Sequence, residues 1–296
     1  MELGKGKVGV VTGAGSGIGL ALATALANEG LSIVLADVQK DALDEATERI
    51  SALGVDTMSR VVDVSKDAEV QALAAAAVER FGAVHIVCNN AGVAGRSDPW
   101  GGPLSSWEWV MGVNFWGVVH GIRAFLPLIA AAGGGHIVNT ASIAGLYPGF
   151  SPAYDASKHG VVAISESLYN TLQLSPVPIG VSCLCPGWVH TKILDADRNW
   201  PAELGALPDL DPMGAVFRKY VETAIDEGMP PAAVADRVVD AVKAGRFWVF
   251  PHLDFLEVAV ERFHQIAEQA NPVPPEHMPG LPPRSQIIAE LLASLE

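Results

Sequence analysis

Residues 8–26, VGVVTGAGSGIGLALATAL, run from an apolar β-branched stretch through a cluster of glycines into a segment whose Leu and Ala residues recur at helical spacing. Strand, glycine turn and helix in that order are what a dinucleotide-binding βαβ unit requires. Gly13 is placed to make the tight turn, Gly17 to let the backbone approach a pyrophosphate, and Gly19 to let the helix pack close to the sheet. Free N–H groups at the start of that helix, around Ser16, Gly17 and Ile18, would face the anion. The spacing Gly13-xxx-Gly17-x-Gly19 differs from the commoner G-x-G-x-x-G.

Outward from this unit, apolar β-branched runs alternate with longer Ala-rich amphipathic ones, the signature of an α/β chain around a parallel sheet. Strands are expected at Val8 to Thr12, Ser32 to Asp37, Thr57 to Asp63, His85 to Asn89, His136 to Thr140, Ile179 to Cys185 and Phe247 to Phe250. Helices are expected at Ile18 to Glu29, Lys40 to Ala52, Ala68 to Phe81, Trp107 to Ala131, Pro152 to Leu174 and Pro231 to Lys243. Such regular alternation needs only one domain, over residues 1–250, with a mainly parallel seven-stranded sheet flanked by helices. Residues 188–230 interrupt the rhythm with Trp188, Trp200, Met213, Phe217 and Tyr220 among Pro and Asp, and read as a substrate lid. Residues 251–296 read as an extension packed on the domain or on a neighbouring subunit. It has an apolar helical stripe through Phe255, Ala259, Phe263 and Ile266, a proline-rich stretch from Asn271 to Pro283, and a short helix around Ile287 to Leu295.

A net charge of -14 argues against a nucleic-acid or anionic-membrane surface, because phosphate binding needs a basic face. Half of the residues are apolar, yet Gly and charge break them into runs shorter than the roughly 18 residues of a membrane span. Val8 to Val11 is too short for a signal-peptide core, so a cytoplasmic protein is expected. Cys88, Cys183 and Cys185 lie in strand-like runs without zinc spacing, which suits buried thiols and predicts no metal.

Asp37 ends the second strand where an acid meets an adenosine ribose. Its carboxylate would accept bonds from both hydroxyls and repel a 2′-phosphate, and neither Ser16 nor Val38 supplies a compensating cation, so NAD is expected over NADP. Asp63 and Val64 are candidates for the adenine edge, and Asn90, Ala91 and Gly92 close the fourth strand on the same edge of the sheet. In Tyr154-Asp-Ala-Ser-Lys158, four-residue spacing puts Tyr154 and Lys158 on one helical face, about 6 Å apart at Cβ.

Together, Thr12-Gly13-xxx-Gly17-Ile18-Gly19, Asn89-Asn90-Ala91-Gly92, Asn114, Ser142, Tyr154-xxx-Lys158 and Pro186-Gly187-x-Val189-x-Thr191 resemble the classical short-chain dehydrogenase/reductase family, in order, over residues 5 to 250. The resemblance implies a single Rossmann-like doubly wound domain, a nicotinamide cofactor, and hydride exchange with an alcohol or carbonyl. It implies a catalytic set of Asn114, Ser142, Tyr154 and Lys158, with Tyr154 as general acid/base, Ser142 bonding the reacting oxygen, and Asn114 holding a water that links Lys158 to solvent. Lys158 would also bind the nicotinamide ribose, Val189 and Thr191 the carboxamide, while Pro186 and Gly187 turn the chain over the ring. A free phenol has a pKa near 10, so ionising Tyr154 at neutral pH asks for roughly 4 kcal/mol of stabilisation, from Lys158 and the oxidised nicotinamide. Ser142 and Tyr154 are twelve residues apart, one short of a common spacing in the family.

Besides Ser142 at the reacting oxygen, the substrate wall is expected from Gly95 to Trp100, Ile143 to Phe150 and the segment after Trp188, which offer Trp100, Leu146, Tyr147, Phe150, Trp188 and His190, an apolar and aromatic set. That set predicts a small-molecule partner, a bulky hydrophobic or aromatic secondary alcohol and its ketone. The tail is loosely similar to those of family members that oxidise benzylic alcohols in lignin-derived aryl ethers, and 3-oxoacyl or steroid reduction is a further alternative. A dinucleotide-sensing scaffold is the non-enzymatic rival, although such a protein would be expected to lose the Tyr, Lys or Ser. The resemblance also implies a homodimer or homotetramer.

Overall fold

The structure, a computed structural model, describes residues 1–95, 100–149, 151–210 and 212–294. Its strands are β1 (Val8–Thr12), β2 (Ser32–Asp37), β3 (Thr57–Val61), β4 (Ile86–Asn89), β5 (Gly135–Thr140), β6 (Ile179–Leu184) and β7 (Trp248–Val249). They form one seven-stranded sheet in the order β3-β2-β1-β4-β5-β6-β7. Every neighbouring pair is parallel. Strand order reverses between β1 and β4, so a crevice opens there at the carboxyl ends of the strands.

Helices cover both faces: α1 (Gly17–Asn28), α2 (Lys40–Ser51) and α8 (Pro231–Ala244) on one, α3 (Asp67–Phe81), α5 (Gly117–Ala131) and α6 (Pro152–Leu172) on the other. Because a strand alternates its side chains, neighbouring residues of β2 divide between two cores. Ile33 and Leu35 pack with Leu22, Leu43 and Val238. Val34 and Ala36 pack with Leu73, Phe125 and Ile129. This two-sided burial explains why the strands read as unbroken apolar runs.

Two segments differ from the expectations. The helix expected over Trp107 to Ala131 begins earlier, as α4 (Leu104–Met111), and reaches α5 through a π-helical turn, Gly112–Trp116, that contains Asn114. Leu104–Ala131 spans 28 residues and contains an 18-residue window of mean hydropathy 1.3, apolar and long enough to cross a membrane, although its apolar residues come in shorter runs. Here it lies against β4, β5, α3 and α6. The 188–230 segment, to which the sequence assigns no helix, has short 3-10 turns at Ile193–Asn199 and Ala202–Leu204 that lead into α7 (Pro212–Asp226). Met213, Phe217 and Tyr220 already stand at i, i+4 and i+7 in the sequence, but the prolines around them mask the helical period. After β7 the chain forms α9 (Leu256–Ala267) and α10 (Arg284–Ser294), and α10 packs on α7 of its own chain.

Candidate active site

The glycine turn is built by close approach. Gly13 has φ +66°, and a Cβ there would stand 2.9 Å from the Cα of Ala91. At Gly19 a Cβ would lie 1.9 Å from the Gly13 carbonyl oxygen, so any side chain would push α1 off the turn. Ser16 precedes α1 in an extended conformation and makes no side-chain cap, which leaves the N–H groups of the first turn to a ligand. Thr12 locks β1 to the end of β4: its Oγ1 accepts the N–H groups of Asn90 at 2.9 Å and Ala91 at 3.1 Å. Asp37 accepts the N–H of Gly15 on one carboxylate oxygen and that of Gln39 on the other, both at 2.9 Å. Asp63 lies beyond β3, which ends at Val61, and accepts from the N–H and hydroxyl of Ser65 at 3.0 and 2.7 Å, with Lys66 Nζ at 3.4 Å.

β5 and α6 bring the polar groups together. Ser142, which stands just past β5, faces the Tyr154 phenol, and hydrogen bonding from its hydroxyl works to hold that phenol down. The Ser142 hydroxyl also accepts the N–H of Ala144 at 3.2 Å and reaches the Pro186 carbonyl at 3.4 Å. One turn along α6, Lys158 donates to the Thr140 carbonyl at 2.9 Å, with its ammonium 5.6 Å from the Tyr154 ring centroid. Asn114 is fully buried, and its amide clasps the Val93 backbone both ways, accepting the N–H at 2.8 Å and donating to the carbonyl at 2.9 Å. The same amide donates to Ser157 Oγ at 3.2 Å, which ties the π turn to α6. A further buried chain holds α6 on the sheet: Asn89 donates to Asn139 at 2.8 Å, and Asn139 donates to Ser165 at 3.0 Å.

Burial dominates the electrostatics. It pushes the Tyr154 phenol up, against the Ser142 hydrogen bond, and the neighbouring Asp155 adds to the rise. It also brings Lys158 down to about 8. Among these groups desolvation outweighs the nearby hydrogen bond, so the phenol stands raised. Asp155, between Tyr154 and Lys158 in sequence, accepts the N–H groups of Gly149 at 2.9 Å and Ser151 at 3.3 Å and is pushed up to about 6 by burial.

One cavity of about 700 Å³ runs along the crevice from Asp37 and Asp63, past Tyr154, to the C-terminal tail. Gly13, Ser16, Gly17, Ile18, Gly19, Val64, Asn90, Ala91, Gly92, Lys158, Pro186, Gly187, Val189 and Thr191 all line it. Ser142, Tyr147 and Trp188 line its deeper end, while Asn114 stands behind the wall. Two residues expected at the substrate are elsewhere. His190 is exposed with its imidazole on the Asp226 carbonyl at 3.0 Å, since strand-like alternation buries Val189 and turns His190 away. Leu146 joins an apolar cluster with Val118, Val161 and Cys183. Trp100 is 80% exposed beside Trp107, and Phe150 and residues 96–99 lie outside the described residues. The tail closes this cavity, a more specific place than packing on the domain. Trp188 donates its indole N–H to the Pro279 carbonyl at 2.7 Å, and Met278, Leu281, Arg284 and Ile288 complete the wall.

A family model described as short chain dehydrogenase matches residues 7–202. The chain belongs to the short chain dehydrogenase family. Among solved structures, a short chain dehydrogenase/reductase from Burkholderia phymatum in complex with NAD superposes with a TM-score of 0.91 at 39% identity, covering 94% of this chain and 100% of that one. A 1-deoxy-11-beta-hydroxypentalenate dehydrogenase of Streptomyces avermitilis is 36% identical over 87% of this chain and 88% of its own. A cyclohexanol dehydrogenase of Acinetobacter is 36% identical over 64% of this chain and 75% of its own. As a short chain dehydrogenase, the chain is an oxidoreductase with the Rossmann-like fold.

Proposed function

We propose that this short chain dehydrogenase is NAD-dependent and interconverts a bulky hydrophobic or aromatic secondary alcohol and its ketone, with Tyr154 as general acid/base. The observation that carries the reading is the convergence of Tyr154, Ser142 and Lys158 on one cavity, with the Lys158 ammonium 5.6 Å from the Tyr154 ring centroid, at the point where the crevice meets an apolar pocket. The glycine turn, the uncapped first turn of α1 and the Asp37 carboxylate fit a dinucleotide lacking a 2′-phosphate. The NAD held by the Burkholderia relative supports that choice. When bound, NAD supplies the acceptor for the hydride of the carbinol carbon.

Ser142 is placed to donate to the substrate oxygen and to stabilise alkoxide character on it. Tyr154 takes the proton of that oxygen during oxidation and returns it during reduction. A cation beside the phenol acts against the burial that raises it, which gives Lys158 its electrostatic role. Asn114 holds the Val93 backbone and Ser157, and so sets where α6 presents both groups. Trp109, Trp188, Phe217 and Leu281 make the pocket wall apolar, which suits a hydrophobic substrate body. The relatives named for oxidation of cyclohexanol and of a hydroxypentalenate support an alcohol. Purified protein with NAD and a panel of aryl and alicyclic secondary carbinols should form NADH; tight NAD binding without NADH from any carbinol would favour a dinucleotide sensor.

A further inference from the structure

The wall that the tail adds to the cavity is apolar except near the start of α10. Met278, Leu281, Ile287 and Ile288 face inward, and with them stands the guanidinium of Arg284. The Arg284 backbone is committed, donating to the Glu276 carbonyl at 2.8 Å. Its side chain is not: among the described residues it has no hydrogen bond or ion pair, and its Nε is shielded from solvent without an acceptor. Glu276 shares this part of the wall; its carboxylate is taken by the Ser285 hydroxyl and by the N–H of Ser285 at 3.1 Å, which hold its pKa down with a smaller contribution from the Arg284 charge, but it makes no hydrogen bond to the guanidinium.

Other cations along the cavity are in use or exposed. Arg218 is held by Glu222 at 2.8 Å and Asp197 at 3.5 Å. Arg198 donates to Gln39 and to two carbonyls, Lys158 to the Thr140 carbonyl, and Lys192 is exposed. Arg284 is therefore the cation whose hydrogen-bonding capacity stays open toward the pocket. Its charge reaches the substrate wall: burial pushes the Tyr147 phenol up, Arg284 works against that rise, and Asp155 adds to it. A guanidinium stays charged at any physiological pH and is costly to desolvate unpaired, while its planar fork matches a carboxylate with two parallel hydrogen bonds.

We propose that Arg284 and the Tyr147 hydroxyl form an anion subsite, and that the substrate is a hydrophobic secondary alcohol, or its ketone, carrying a carboxylate remote from the carbinol carbon. Arg284 supplies the charge, the phenol donates one further hydrogen bond, and the apolar wall holds the carbon skeleton between the two ends. The subsite rests on the alcohol-dehydrogenase reading and adds specificity to it. Arg284 does not touch the reacting atoms, so its contribution belongs in substrate binding.

The test uses the full chain, NAD, and matched pairs of aryl carbinols bearing a terminal carboxylate on spacers of graded length, each with its methyl ester. At the best spacer the acid should exceed the ester about tenfold or more in kcat/KM, mainly through KM, the range expected for hydrogen bonds to a charged group. Arg284→Met keeps the apolar stem; it should lower the acid's kcat/KM about tenfold or more and the ester's less than about threefold, with Arg284→Lys recovering part of the loss. Equal turnover of acid and ester at every spacer length, or an equal loss for both in Arg284→Met, overturns the subsite. The wild-type comparison decides the matter without any variant, should Arg284→Met fold poorly. Ester turnover without acid preference removes the subsite alone, whereas NADH from neither series removes the alcohol-dehydrogenase reading with it.

Discussion

Replacing Lys158 by Met is expected to abolish turnover and yet stabilise the cofactor-free fold at neutral pH. The ammonium is buried at 4% exposure, and burial brings its pKa from 10.5 down to about 8. A lysine depressed in the folded state is a net cost wherever it is protonated in both states. That cost is complete below pH 8, shrinks as pH rises toward the unfolded value, and is gone above it. The displacement corresponds to about 3 kcal/mol at pH 7, of which about 2 kcal/mol is recovered by pH 9.5. Loss of the 2.9 Å hydrogen bond to the Thr140 carbonyl works the other way, by about 1–2 kcal/mol at either pH. Urea unfolding of wild type and Lys158→Met at both pH values separates the two effects. The variant should be more stable by about 1–2 kcal/mol at pH 7 and lose that advantage by pH 9.5. A stability difference that does not change between the two pH values would refute the reasoning, whatever its size, because only the ionisation depends on pH.

Two further predictions concern binding and packing. Asp37→Asn retains an acceptor for Gly15 or Gln39 but removes the charge, so the ratio of kcat/KM with NADP to that with NAD should rise about tenfold; an unchanged ratio would separate Asp37 from cofactor choice. Asn114→Ala leaves the Val93 N–H and carbonyl without their buried partner, and should cost about 2–4 kcal/mol in urea unfolding; a loss below about 1 kcal/mol would mean that other groups take over both bonds.

What could be read in advance followed the range of the interactions. The glycine turn, the seven strands and the Tyr154–Lys158 face depend on neighbours within a few residues, so periodicity and spacing were enough. The π turn was only half legible. An Asn at position 114 is locally unfavourable in a helix, but the partner that fixes it is the Val93 backbone, 21 residues away in sequence. The role of Asp155 was not legible for the same reason, since its partners Gly149 and Ser151 lie in a loop whose path the sequence does not specify. The tail was visible as a helical stripe and a proline-rich run. That it would fold over the pocket depends on Pro279 meeting Trp188, 91 residues earlier. His190 shows the opposite error, in which closeness to Pro186 and Gly187 suggested the pocket while local alternation sent its side chain outward.

The most direct test is NADH formation from a secondary carbinol by wild type and Tyr154→Phe, with NAD binding measured on both proteins. Removing one hydroxyl should leave NAD affinity within about threefold and lower kcat by about a hundredfold or more, because the proton of the substrate oxygen then has no acceptor. Turnover retained in Tyr154→Phe, or activity lost only in step with NAD binding, would contradict a role for Tyr154 as the acid and base of this short chain dehydrogenase.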